Sequence, residues 1–156
     1  MNWIVRNLWL IPALPLFAAG ISALAKQKYK ALAASLAIGS MGISFLLALY
    51  AFAHVLVLRS SGQATQQVFN FPWFQFGNDW LSLGWVLNPL TAVMLVMVTF
   101  GGLLIFIFSV GYIEHDENFT RFFCFLALFA SAMLGVIISN SLLLLFLCWE
   151  IVGLTS

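Results

Sequence analysis

Apolar residues in this chain come in long runs that are almost free of charge. An α-helix needs about 20 residues to cross the roughly 30 Å of hydrocarbon in a bilayer, whereas a barrel strand needs only about 10. Because every backbone polar group must be paired inside lipid, runs of this length predict membrane-spanning helices. The sequence therefore predicts four complete transmembrane helices, over residues 7–25, 31–58, 87–112 and 122–139.

A fifth apolar run follows the polar break Ser139-Asn140-Ser141 and continues from Leu142 to Ser156. Fifteen helical residues reach about 22 Å, which is less than a crossing. We therefore expect a truncated fifth helix, as in a fragment of a longer protein.

The long segment between the second and third spans is aromatic rather than apolar throughout. Residues 68–85 contain two short runs, Trp73-Phe74-Gln75-Phe76 and Trp80-Leu81-Ser82-Leu83, around Gly77-Asn78-Asp79. Alternating residues on both sides of a Gly-containing turn predict a β-hairpin lying on the membrane surface. Two interpretations of it stay open: a docking ribbon for a neighbouring subunit, or an interfacial anchor.

The predicted fold class is all-α, a polytopic transmembrane bundle of four complete spans plus a truncated fifth, with a short outer β-hairpin. We divide the chain into residues 1–86, with two lead-in helices and the hairpin loop, and residues 87–156, with the remaining helices. Composition agrees, because 7% of the residues are charged, against about 25% in globular proteins. The net charge of +1 excludes a nucleic-acid-binding protein, and two cysteines exclude a disulfide framework.

The orientation follows from the positive charges in the short loops. One side of the membrane receives Lys26, Lys28, Lys30 and Arg121, while the other receives Arg6 and Arg59. This difference predicts a multi-pass protein of the cell membrane with its N-terminus on the outer side. The alternative that the first span is a signal peptide cleaved after Ala25 is disfavoured, because the three lysines follow the apolar run instead of preceding it.

One acidic residue lies inside an apolar span. Glu150 comes eight residues after Leu142, about 12 Å into the membrane from the outer face. A carboxylate there is either protonated and merely tolerated, or faces the bundle interior and exchanges protons beside a cation or a water chain. We take Glu150 as the residue for proton translocation. The interior of the predicted spans contains no Lys or Arg, so its basic partner must come from elsewhere.

Two further residues are candidates for supporting roles. His54 lies near the outer end of the second span, where it could relay protons or be an ordinary interfacial residue. Arg121 begins the fourth span, where a cation reaching the interface is the simpler interpretation. The sequence contains no nucleotide-binding loop, metal-ligand cluster or nucleophile–base pair. We therefore expect no cofactor and no metal in this chain.

Several motifs together resemble a known family. They are Leu87-Asn88-Pro89-Leu90-Thr91 before an apolar span, Gly111-Tyr112 before an acidic loop, Arg121-Phe122-Phe123, Asn140-Ser141 before a leucine run, and Trp149-Glu150-Ile151-Val152-Gly153-Leu154. The combination is similar to the N-terminal part of subunit L, or chain 5, of proton-translocating NADH:quinone oxidoreductase, respiratory complex I. The last block is the most specific. Asn88-Pro89 departs from the Asp-Gly of the family, so a charged role there is in doubt.

The resemblance implies an antiporter-like membrane subunit that couples electron transfer from NADH to quinone with proton transport. It implies that Glu150 pairs with a lysine on a later helix and that Arg121 matches a family arginine. The parent complex would use NADH, FMN, iron–sulfur clusters and quinone, and the chain's partners would be other membrane-arm subunits and the bilayer. Alternatives are an Mrp-type cation/proton antiporter, a bicarbonate-uptake subunit without an NADH module, and a truncated, non-functional gene product.

Overall fold

The structure, a computed structural model, describes residues 3–24 and 29–156. Lys26 and Lys28, on which the predicted orientation depends, and Ala25, the predicted cleavage position, lie outside the described residues. The elements in chain order are α1 (Trp3–Arg6), α2 (Leu10–Leu24), α3 (Lys30–Ser60), β1 (Gln67–Phe76), β2 (Asp79–Leu87), α4 (Pro89–Tyr112), α5 (Phe119–Ile138) and α6 (Leu142–Thr155).

Within residues 3–24 and 29–156, three helices are long and apolar enough to cross a membrane: α3, α4 and α5. They confirm the second, third and fourth predicted spans. The helix of the first predicted span begins later than expected, because a turn at residues 7–9 separates α1 from α2, which is described over 15 residues. In a continuous helix the ring of Pro12 would clash with the carbonyl of Leu8, four residues earlier, which accounts for the break. A complete fourth crossing therefore stays a prediction.

The helices pack in an antiparallel order in which α2 contacts both α3 and α5, α3 contacts α4, and α5 contacts α6. Two apolar clusters hold them. One lies at the end that carries the β-hairpin and includes Leu8, Leu95 and Leu134. The other includes Met41, Phe106 and Phe123 and lies toward the opposite end. We call these two ends the hairpin end and the opposite end.

A proline in α2 explains one of the contacts between helices. Pro15 has no N–H, so the carbonyl of Ile11, four residues earlier, loses its helical donor. Ser44 of α3 replaces it, since its hydroxyl donates to the Ile11 carbonyl oxygen at 2.9 Å. The serine is fully buried. Ser44 thus supplies the donor that the proline removes, and a hydrogen bond joins α2 to α3.

The predicted hairpin is confirmed, with one correction to its turn. Asp79 pairs with Phe76 in the sheet, so the turn is Gly77-Asn78 rather than the three residues Gly77-Asn78-Asp79. Gly77 has a φ of 63°, which glycine adopts at little cost. Two-residue turns match the twist of paired strands, which favours this shorter connection.

A β-bulge between Pro72 and Phe74 sets which side chains share a face of the hairpin. Before the bulge, Phe69 pairs with Trp85 and Phe71 pairs with Leu83. The extra residue shifts the alternation so that Phe74, which pairs with Leu81, joins that same face. This side of the hairpin is therefore apolar from the pair Phe69 and Trp85 to the pair Phe74 and Leu81.

Candidate functional site

Glu150 lies in the middle of α6, on the side that faces away from the rest of the described protein. Leu144, Cys148 and Ile151 follow one another at helical spacing and line an apolar cavity of about 290 Å³ against α2 and α5. Glu150 belongs to the opposite stripe, with Phe146 four residues before it and Gly153 three residues after. All three are exposed. Glu150 thus faces the outside of this bundle.

The surroundings of Glu150 are apolar. No residue of α6 is fully buried, and Phe146 and Leu154 are 57% and 85% exposed. Within residues 3–24 and 29–156, the carboxylate has no hydrogen bond or ion pair. A Cβ added at Gly153 would meet nothing within 4 Å, so the surface beside the acid is open to a closely approaching chain. The structure shows where the acid points, and its role stays a prediction.

Arg121 does not reach this acid. It lies in the first turn of α5, exposed, with its guanidinium 5.8 Å from the ring centroid of Phe125. A Cβ added at Gly135 would meet the side chain of Cys148, so these two positions of the antiparallel helices α5 and α6 lie opposite each other and residue 133 lies at the level of Glu150. Arg121 is twelve residues from that level, or roughly 18 Å along the helix. An aromatic contact at the opposite end agrees with the simpler interpretation of this residue.

His54 connects a helix to the hairpin. It is half-buried in α3, and its Nε2 lies 3.2 Å from the Oε1 of Gln67, the first residue of β1. The contact ties the base of the hairpin to the helix that precedes it. Glu150, Arg121 and His54 are thus on three different helices, and the structure does not bring them together.

Sequence reasoning missed the polar residues that fasten the hairpin to the connection between α5 and α6. Asn140, which the pattern alone suggests is a turn residue, donates from its Nδ2 to the Oδ1 of Asn70 at 2.7 Å and from its backbone N–H to the carbonyl of Gly84 at 3.1 Å. The indole N–H of Trp85 donates to the carbonyl of Val5 at 2.6 Å. We call these contacts the hairpin clamp. Asn and Gly in a turn or strand are too common to have indicated it.

Charged groups gather at the opposite end. Lys30, the first residue of α3, donates from Nζ to the backbone carbonyl of Asp116 at 3.2 Å and lies 5.8 Å from the ring centroid of Phe119. The loop contributes three exposed acids, Glu114, Asp116 and Glu117. No group of three or more His, Cys, Asp or Glu side chains that could hold a metal ion occurs in the described part of the chain.

Comparisons with known proteins agree with the resemblance in the sequence. Residues 73–123 match a family model described as NADH-ubiquinone oxidoreductase (complex I), chain 5 N-terminus. Glu150 lies beyond the matched residues.

Relatives align with the whole chain. NAD(P)H-quinone oxidoreductase subunit 5 of Mesostigma viride chloroplasts is 36% identical over 100% of the chain and 24% of its own length. Chain 5 of the same enzyme from Synechocystis is 34% identical over 100% of the chain and 23% of its own length. The chloroplast subunit of Chaetosphaeridium globosum is 32% identical, with 100% and 24% covered. This chain spans about a quarter of the length of these relatives. The chain is thus similar to complex I chain 5 proteins along its whole length, and residues 73–123 match the model of that family's N-terminus.

Proposed function

We propose that this chain is part of a membrane-arm subunit of proton-translocating NADH:quinone oxidoreductase and that Glu150 is a proton-translocating residue. The observation that carries the proposal is a carboxylate in the middle of an apolar helix, on a face that the described bundle leaves uncovered. The relationship to chain 5 of NAD(P)H-quinone oxidoreductases supplies the complex in which such an acid would act.

The energetics allow α6 to carry the acid in a membrane. A charge at the centre of a spanning helix costs roughly 2.5–3.5 kcal/mol on the insertion scale, while each Leu or Phe contributes about 0.3–0.6 kcal/mol in the favourable direction. Residues 142–147 are five leucines and one phenylalanine, so they offset much of that cost. The helix can therefore enter the bilayer with its acid and needs only a polar partner to keep the acid charged.

The uncovered face defines what that partner must be. Acyl chains provide no donor for a carboxylate, whereas a lysine or a water chain on a further helix stabilises its charge. Gly153 leaves room for such a helix to approach at the level one turn beyond Glu150. The partner we propose is the later-helix lysine that the family resemblance implies. Arg121 and His54 would have at most supporting roles, at the two ends of the bundle.

The remaining functions are assigned to the rest of the complex. We propose that NADH, FMN, the iron–sulfur clusters and quinone bind elsewhere than in this chain, which takes part in proton movement alone. Its partners would be other membrane-arm subunits and the bilayer. The apolar face of the hairpin, which continues past the hairpin clamp to Phe74 and Phe76, is a candidate contact for a neighbouring subunit, and interfacial anchoring is its alternative. The proposed orientation places the N-terminus outside.

The experiment is Glu150→Gln in the intact complex, compared with Glu117→Gln. Both changes convert a carboxylate to an amide, but Glu117 lies exposed in the loop before α5. We expect Glu150→Gln to lower NADH-driven proton pumping in membrane vesicles by at least about tenfold, since proton transfer by one positioned group contributes about 10²–10⁴-fold. The Glu117 variant should pump normally.

Equal pumping rates and equal proton-to-electron ratios in the two variants would contradict the role of Glu150. A loss of cation/proton exchange in Glu150→Gln vesicles with no effect on NADH oxidation would instead favour the antiporter alternative.

A further inference from the structure

Polar side chains of α5 contact backbone carbonyls of α2 at two levels. The hydroxyl of Ser131 donates to the carbonyl of Pro12 at 2.7 Å, and the thiol of Cys124 donates to the carbonyl of Ala19 at 3.3 Å. Seven residues forward along α2 correspond to seven residues backward along α5, as expected for antiparallel helices. We call this line of contacts the α2–α5 seam.

One helical turn further along the seam, two buried hydroxyls come to the same level. The register places Ser22 opposite residue 121, next to Thr120. Ser22 is 2% exposed and Thr120 is 3% exposed. Neither hydroxyl oxygen has a hydrogen-bond partner among the described residues. In the described part of the chain, both are therefore buried polar groups that are left unsatisfied.

The other buried hydroxyls show that this is unusual in the chain. Ser40 and Thr99 donate to carbonyls of their own helices, at 2.8 and 2.6 Å. Ser44 and Ser131 donate to carbonyls of α2. A buried hydroxyl without a partner costs about 1–3 kcal/mol, so two at the same level call for a shared explanation.

The third helix at this level, α3, contributes a small apolar residue. The contact of Ser44 with Ile11 sets the register of α3 against α2 and places Ala33 opposite Ser22. Ala33 is fully buried and has no side-chain donor or acceptor.

We propose that an ordered water molecule binds at this junction of α2, α3 and α5, bridging the Oγ of Ser22 and the Oγ1 of Thr120. Buried waters make about 2–4 hydrogen bonds to groups that are otherwise unsatisfied, and the two hydroxyls provide two such groups. A hard metal cation would require about six or more oxygen ligands, more than this site has. The water completes the α2–α5 seam with a third polar contact, at the opposite end of the bundle.

Nuclear magnetic resonance tests the water directly. The full chain is labelled at threonine methyl groups, reconstituted in lipid nanodiscs and examined for magnetisation transfer from water. We expect a water cross-peak at Thr120, at least a twofold weaker one in Ser22→Ala, and none at Thr99, whose hydroxyl is equally buried but bonded to Leu95. Absence of the Thr120 cross-peak, or an unchanged one in Ser22→Ala, would overturn the proposal.

A double-mutant cycle, measured by thermal unfolding, tests the water bridge independently. Ser22→Ala and Thr120→Val each remove one of the water's partners, and we expect each to lower the thermal unfolding midpoint by about 2–4 °C. The double variant should lie no lower than the single variants, because the bridge is already broken. Ser22→Ala combined with Ser40→Ala is the control, and its two effects should simply add. Additive losses for Ser22 and Thr120 would show that no bridge joins them.

Discussion

Hydroxyl and thiol groups inside this bundle hold one helix against another. Ser44 and Ser131 both donate to carbonyls of α2, and Cys124 does so through its thiol. Inside a membrane an unpaired polar group is costly, and a nearby backbone carbonyl is the most available acceptor. These side chains therefore contribute to packing between the helices.

Gly84 carries the tightest steric requirement of the hairpin. A Cβ at this position would overlap the backbone carbonyl of Phe69 and the side chain of Asn70, which accepts the hydrogen bond of Asn140. We expect Gly84→Ala to lower the free energy of unfolding by about 1–3 kcal/mol, the usual cost of overpacking. The measurement is the unfolding transition of the purified protein in detergent.

Gly101→Ala is the matched control for that change. A Cβ there would meet nothing within 4 Å, and Gly101 lies inside α4. Alanine is favoured over glycine in a helix interior by about 0.5–1 kcal/mol, so this variant should be neutral or slightly more stable. If both variants unfolded alike, the close approach of β1 to β2 at Gly84 would be refuted.

Among the helices, α2 contains a backbone carbonyl without a helical donor, and the neighbouring helix α3 supplies one. The Ile11 carbonyl lacks its helical donor because residue 15 is proline, and Ser44 of α3 supplies one. We expect Ser44→Ala to lower the free energy of unfolding by about 1–3 kcal/mol, since it leaves a buried acceptor unsatisfied. In a Pro15→Ala background, residue 15 regains an N–H and the same change should cost less than about 1 kcal/mol.

The double-mutant cycle over Ser44 and Pro15 measures this coupling. Ser40→Ala, four residues away in α3, is the control, because the Ser40 hydroxyl bonds within its own helix. It should change stability by no more than about 0.5 kcal/mol in either background. An equal cost of Ser44→Ala with and without the proline would rule out the repair.

For the protein in its membrane, the proposed orientation makes a direct prediction. In a background without Cys124 and Cys148, single cysteines are introduced as Lys28→Cys and Gln63→Cys, which lie before α3 and after it. A membrane-impermeant thiol reagent added outside intact cells should label position 63 and leave position 28 unlabelled, because the lysine-rich loop is retained in the cytoplasm. Labelling of position 28 alone would show that the orientation is the opposite of the one proposed, with the N-terminus in the cytoplasm.

Much of the architecture follows from the order of residues along the chain. The second, third and fourth predicted spans lie within a few residues of α3, α4 and α5, and the hairpin lies where the aromatic alternation places it. Asn88-Pro89 begins α4 as expected, with the Asn88 side chain accepting from the Thr91 N–H at 2.8 Å. The predicted resemblance to complex I chain 5 is confirmed. The helix of the first predicted span begins later than the apolar run indicates, because a turn at residues 7–9 precedes α2, and its complete crossing stays a prediction.

Long apolar runs determine local structure because lipid leaves the backbone few solutions, so the sequence alone was enough for α3, α4 and α5 and for the position of the hairpin. The direction in which a side chain points, and the residue that it contacts, depend on residues far apart in the chain. Ser131 and Pro12 are separated by 119 residues, and Asn140 and Asn70 by 70. Only the packed helices decide that Glu150 points away from α5, that Asn140 fastens the hairpin, and that Ser22 and Thr120 meet at one level, because these contacts arise from helix register and not from any pattern along the chain.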